Sequence, residues 1–119
     1  YTPSPGTPQV PNFQHVFLVN ADFHHAVLPK ADFTGAYLKH ASFRDAQLLY
    51  ASFQDAVLMQ VDMEGARLDG ANFLHADLRR VHNLDRASLE QALYNEQTAF
   101  PDGFRPYFRG MLEVAPRSA

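Results

Sequence analysis

From Phe13 onward a large apolar residue recurs at every fifth position: Phe13, Leu18, Phe23, Leu28, Phe33, Leu38, Phe43, Leu48, Phe53, Leu58, Met63, Leu68, Phe73 and Leu78. Two residues before each, from Leu18 on, stands a smaller residue, usually Ala, as in Val16, Ala21, Ala26 and Ala31. The units run from residue 11 to residue 80 without an insertion. Five residues advance an α-helix by about 140° beyond one turn, so these positions would sweep around the cylinder and bury nothing together. In a flat strand an odd period throws alternate large residues onto opposite faces. Within one unit, however, the small and the large residue are two apart and point to one side of an extended segment. The chain therefore turns a corner in every unit, and repeated corners wind it into a coil with Ala and Phe or Leu inside.

Phe alternates with Leu, so Phe stacks on Phe in successive coils only if each coil holds an even number of units. Two sides enclose no core, and six leave a hole that these side chains cannot fill. Four remain, which predicts a coil of twenty residues, about three and a half coils and a height of roughly 17 Å at the ~4.8 Å spacing between strands. The columns read Phe13, Phe33, Phe53, Phe73 on one side and Phe23, Phe43, Met63 opposite; Leu18, Leu38, Leu58, Leu78 and Leu28, Leu48, Leu68 line the other two. The stripe is read as core, and burying each Phe or Leu contributes about 1.5–3 kcal/mol against chain entropy.

Units such as Ala31-Asp32-Phe33-Thr34-Gly35 and Ala36-Tyr37-Leu38-Lys39-His40 resemble the A-(D/N)-(L/F)-x-x signature of the pentapeptide-repeat family. The resemblance covers residues 11 to 80. It implies an all-β solenoid, the right-handed quadrilateral β-helix, with handedness that the periodicity alone does not supply. It implies no catalytic residues, since the family shares no activity.

The pattern fails at Asn83, where an amide would take a large-residue position at a desolvation cost. Solenoids need an end cap. Asp85 reads as an N-cap, Leu84 and Leu89 have the spacing of a hydrophobic staple, and Leu89, Ala92 and Leu93 form an apolar helical stripe. A short capping helix over residues 86–94 is therefore predicted. The segment Ala92-Leu93-Tyr94-Asn95 with Thr98 and Phe100-Pro101-Asp102-Gly103-Phe104 is similar to the closing tail of cyanobacterial-type members of the family. The organisation predicted is a Pro-rich linker or arm at 1–10, a β-helix at 11–83, and a helical cap and tail at 84–119. The arm suggests a domain joined to something upstream.

Composition narrows the chemistry. Thirteen acidic and ten basic residues leave a net charge of −3, so nothing draws the chain to nucleic acid or an anionic membrane. With no Cys there is no disulfide and no thiolate zinc site. No apolar run approaches the roughly 18 residues that span a bilayer, so membrane insertion is not expected, and the cytoplasm is the favoured compartment. Six His residues invite a metal. His24 and His25 point differently, and His15 and His75 share a column but lie three coils apart. Asp22 with His24 is the best remaining group, and it reads as a solvated polar face rather than a metal site. His25 near Asp45 suggests an exposed ion pair of little worth to stability. The carboxylates of Asp62 and Glu64 sit on a convex rod without a cleft to raise a pKa, and Ser42 and Ser52 have no oxyanion hole. No catalytic, cofactor-binding or metal-binding residues are assigned, and no cofactor is expected.

The outward positions say more. Beside the Phe-centred sides they are polar: Asn12, Asp32, Ser52, Asn72 and Asp22, Ser42, Asp62. Beside one Leu-centred side, Phe17, Tyr37 and Val57 make an apolar column with Val19 and Met59 nearby. Such a strip marks a binding surface or a ladder that merely stabilises stacked strands. Val27, Pro29, Leu49 and Tyr50 make a weaker candidate on the opposite side. The function expected is a non-enzymatic protein-interaction or spacer module within a larger cyanobacterial or other bacterial protein, with an unidentified protein partner and a homo-dimer as one option. The alternative comes from the resemblance: some pentapeptide-repeat proteins mimic DNA in shape and negative charge and bind DNA gyrase. Lys30, Lys39, Arg44, Arg67, Arg79 and Arg80, interleaved with the acids, weaken it.

Overall fold

The structure, a computed structural model, describes residues 10–115. Of the expected arm only Val10 lies among them; Tyr1 to Gln9 fall outside the described residues. From Phe13 to Phe73 the residue two after each large one turns the corner with a positive φ, among them His15 at 58°, Asn20 at 62°, Tyr50 at 60° and Gly70 at 72°. A left-handed residue with a side chain costs about 1–2 kcal/mol. The ladder offsets that cost, because each such corner presents its N–H to the next coil, as His25 does to the Arg44 carbonyl at 2.9 Å and Tyr50 to that of Asp69 at 3.0 Å.

Strands β1 (Phe17–Val19), β2 (Tyr37–Lys39), β3 (Val57–Asp62) and β4 (Asp77–His82) form one parallel sheet in that order. Its register runs Phe17, Tyr37, Val57, Asp77, a step of twenty residues. The other three sides are joined by single-residue bridges at the same step: Asn12, Asp32, Ser52, Asn72; Asp22, Ser42, Asp62; and Val27, Gln47, Arg67. Four sides and a twenty-residue coil follow directly, as the Phe/Leu alternation requires. Phe33, Phe43, Phe53, Phe73, Met63 and the Leu column residues from Leu38 on are fully buried with their partners two residues before, Ala throughout except Val61. Within a column the rings stack, 5.0 Å apart and 1° from parallel for Phe33 and Phe53; between columns they meet edge to face, as Phe33 and Phe43 do at 5.5 Å and 88°.

The capping helix over 86–94 is not formed. A 3-10 turn spans Leu84–Arg86, and the coil then resumes. Ser88 bridges to Arg67, Leu93 to Asn72 and Ala99 to Asp77, so the ladder reaches a fifth level on two sides and the rod exceeds three and a half coils. The small-to-large spacing of two survives in Ala87 and Leu89, Ala92 and Tyr94, and Thr98 and Phe100. The bridges shift from twenty residues to twenty-one at Ser88 and twenty-two at Ala99, because an extra residue enters near Asn83 and another before Thr98. Asn83 is itself left-handed (φ 63°) and only half-buried; Leu84, one place later, is buried instead. The amide does not enter the core: its Nδ2 donates to Asp62 Oδ1 at 3.0 Å. Asp85 lies inside the 3-10 turn rather than capping it, and Leu84 and Leu89 are both buried as core residues of the coil, not as a staple.

Closure comes from the tail. β5 (Leu93–Tyr94) pairs in parallel with β6 (Leu112–Glu113) after a second 3-10 turn at Pro106–Arg109. Met111 is buried, and Tyr94, Phe100 and Phe104 pack in sequence with ring centroids 5.5 and 5.3 Å apart. The buried Thr98 hydroxyl donates to the Phe73 carbonyl at 2.8 Å and accepts the Asn95 N–H at 3.0 Å, which ties the last coil to the one before.

Candidate functional site

The outward strip lies where the register puts it. Phe17, Tyr37 and Val57 occupy successive positions of β1, β2 and β3, and the Phe17 and Tyr37 rings stack at 4.9 Å and 6°. Phe17 is 69% exposed and Val19 48%, while Tyr37, Val57 and Met59 are half-buried. Lys39 stands between Val19 and Met59 in the register, so the second column is interrupted. Asp77 ends the first, held by its own neighbour: Arg79 Nη2 donates to Asp77 Oδ2 at 2.8 Å. The first column is thus apolar over the first three coils and ionic at the fourth. On the far side Val27 and Tyr50 are exposed, but Tyr50 lies against the corner at Gly70, where a Cβ would meet its ring at 2.5 Å.

The polar residues elsewhere have a local duty that the strip lacks. On the two Phe-centred sides the outward side chain accepts the backbone N–H two residues on: Asn12 from Gln14, Asp22 from His24, Asp32 from Thr34, Asp62 from Glu64 and Asn72 from Leu74, at 2.9–3.0 Å. These Asx turns satisfy donors at the corner. Phe17, Tyr37 and Val57 can make no such bond, and the coil turns beside them without it.

Charge gathers on the Asp22 side. Arg44 reaches Asp62 at 3.2 Å and Glu64 at 2.9 Å, and Arg86 reaches Glu64 at 3.2 Å. Partial burial would raise the Asp62 carboxyl, but the hydrogen bonds from Asn83 and the Glu64 backbone, with Arg44, hold it below the usual carboxylate range. Sequence reasoning missed this ladder; its signal is a spacing of 18 to 22 residues, legible only once the coil length is known. Three of the six His residues pair singly with acids: His24 with Asp22 at 3.7 Å, His25 with Asp45 at 3.8 Å and His75 with Asp55 at 3.8 Å. Among the described residues no three His, Asp or Glu side chains converge as a metal site, and no helix is long and apolar enough to cross a membrane.

The family model for pentapeptide repeats matches in eight copies, over residues 12–45, 30–65 and 46–82. Among solved structures, the chain is similar to a pentapeptide repeat protein from the thylakoid lumen of Arabidopsis thaliana, with 35% identity and a TM-score of 0.71 over 83% of this chain. It spans 62% of the length of that protein. A pentapeptide repeat protein from Nostoc is 29% identical with a TM-score of 0.67, covering 88% of this chain and 86% of that one. One from the cyanobacterium Cyanothece, 20% identical with a TM-score of 0.61 over 76% of this chain and 88% of its own, shares the fold. No curated protein matches the sequence.

Proposed function

The chain belongs to the pentapeptide-repeat family, and from that premise we infer that it is a non-enzymatic protein-interaction module whose contact surface is the strip of Phe17, Val19, Tyr37, Val57 and Met59. One observation carries this reading: the polar outward residues of the Phe-centred sides are tied to corner hydrogen bonds, whereas the apolar residues of the strip make none and stack only on one another. A side chain as large as Phe17, left 69% exposed, gains most of its burial only from a partner. The partner surface would be apolar and flat. The acidic-rod alternative finds less support, since Asp62 and Glu64 are neutralised by Arg44 and Arg86.

The test is the double variant Tyr37→Asp, Val57→Asp. Its melting temperature should fall only modestly, because the core is untouched although the new carboxylates line up with Asp77 in the register, while self-association by light scattering or retention of a binding protein should be lost. Unchanged association alongside a lowered melting temperature would leave the strip a stabilising ladder only.

A further inference from the structure

A second feature lies at the other end of the rod, independent of the strip. On the Asp22 side every coil is joined to the next by one bridging residue. Ser42 donates its N–H to the Ala21 carbonyl at 3.0 Å and accepts the Phe23 N–H at 2.8 Å; Asp62 does the same between Ala41 and Phe43 at 3.0 and 2.9 Å; and His82 accepts from Met63 at 3.0 Å. At the fourth level the equivalent groups are the Val81 carbonyl and the Leu84 N–H, with left-handed Asn83 bulged between them. Neither has a hydrogen-bond partner among the described residues. The chain's own next segment does not supply one, because after Phe100 it turns away through Pro101, to whose carbonyl the Phe104 N–H donates at 3.1 Å.

What lies over this edge is a groove of about 610 Å³. Its lining includes Val81, Leu84, Phe104 and Phe108, together with Arg105 and Arg109. Asp85 and Asp102 also line it, and none of these four charged residues is in an ion pair among the described residues. Val81 and Leu84 are 6% and 3% exposed, so the apolar surface at the base is continuous with the core. An unpaired acceptor and donor at a strand edge, an apolar base and lining charges of both signs call for one kind of occupant.

We propose that this groove binds an extended segment of a partner polypeptide, which adds one more rung to the Asp22 side. One residue of the segment donates its N–H to the Val81 carbonyl and accepts the Leu84 N–H. The next residue, large and apolar, lies over Leu84, and charged residues of both signs follow it to meet Arg105, Arg109, Asp85 and Asp102. The chain contains a model for such a segment: Ala41–Tyr50, ASFRDAQLLY, makes this side and the next one of the second coil, with Ser42 bridging, Phe43 inward and Arg44-Asp45 behind it.

The probe is that ten-residue sequence as a fluorescent peptide, titrated into the full chain and followed by anisotropy and by amide NMR. Saturable binding is expected, with shifts confined to Val81–Glu90 and Phe104–Arg109. Methylating the backbone nitrogen of the peptide's serine removes the N–H donated to Val81 and should weaken binding about tenfold; a scrambled peptide should not bind. Because these changes are made in the peptide, folding of the protein is not in question. No saturation, equal binding of the methylated peptide, or shifts centred on Phe13–Leu28 would each overturn the proposal. Concentration-dependent shifts of the Val81–Glu90 amides without peptide would overturn it in favour of a second copy of the chain.

Discussion

The corner residue carries two constraints at once, and Gly70 shows both. Its φ of 72° lies in the left-handed region, and the Tyr50 ring of the coil before it fills the space a Cβ would take. Gly70→Ala is expected to cost about 1–2 kcal/mol for the backbone alone, measured by urea denaturation. In a Tyr50→Ala background the part due to ring contact should vanish and the backbone part persist. A different residue property governs acid stability. Asp32 and Asp62 are partly desolvated, which raises a carboxyl, yet the hydrogen bonds they accept outweigh this and hold both below the usual carboxylate range; at Asp77 the Arg79 hydrogen bond is the leading cause of the same direction. A carboxyl with a lower pKa folded than unfolded stabilises fully above the unfolded value of about 3.9 and loses that contribution as pH falls through the folded one. Thermal stability should therefore be level near neutrality and drop below about pH 4, and Asp62→Asn should flatten that drop.

At the scale of an element, the segment after Asn83 separates two architectures that share the same residues. In the predicted helix over 86–94, position 88 lies in the first turn, where proline is tolerated. In the coil the Ser88 N–H donates to the Ala66 carbonyl at 3.0 Å, and its own carbonyl accepts the Leu68 N–H at 2.8 Å. Ser88→Pro should then cost about 1–3 kcal/mol for the lost bond, whereas Ser88→Ala, which keeps the N–H, costs less. Equal denaturation midpoints for the two variants would restore the helix. The apolar stripe of Leu89, Ala92 and Leu93 misled because helix and coil both accept it. Leu89 and Ala92 are buried either way, but Leu93 faces outward and is only half-buried, paired with Leu112 in β6.

Over the whole molecule, burial is uneven along the rod. Phe33, Phe43, Phe53 and Phe73 are fully buried, whereas Phe13, Leu18, Phe23 and Leu28 of the first coil are only partly so. Exposed large apolar residues follow suit: among the described residues all but Tyr50 lie before the second coil or after Arg105. In a solenoid each coil leans mainly on its neighbours, so stability is a sum of local and nearest-neighbour terms. Phe43→Ala should cost about 3–5 kcal/mol and Phe13→Ala clearly less. Hydrogen exchange should show the same gradient, with the Phe23 and Leu28 amides exchanging before those of Phe43 and Leu48. Uniform protection from coil one to coil three would contradict it.

The sequence by itself determined the coil: a spacing of two within each unit demands extended segments, a period of five demands corners, and the Phe/Leu alternation demands four sides. These are short-range facts repeated many times, so each unit corroborates the last, and the columns of Phe and Leu follow without any distance being known. The apolar strip was legible for the same reason, as outward positions are set by the same count. What happens between Val81 and Phe100 was decided only in three dimensions. One extra residue at Asn83 destroys the count, and beyond it the local signals fit a short helix or a rung equally well. The choice rests on hydrogen bonds spanning about twenty residues, from Leu68 to Ser88 and from Phe73 to Leu93, at 2.8 Å each. The groove over Val81 and Leu84 belongs to the same class: no spacing announces it, because it forms only where the ladder stops and the returning tail overhangs the edge.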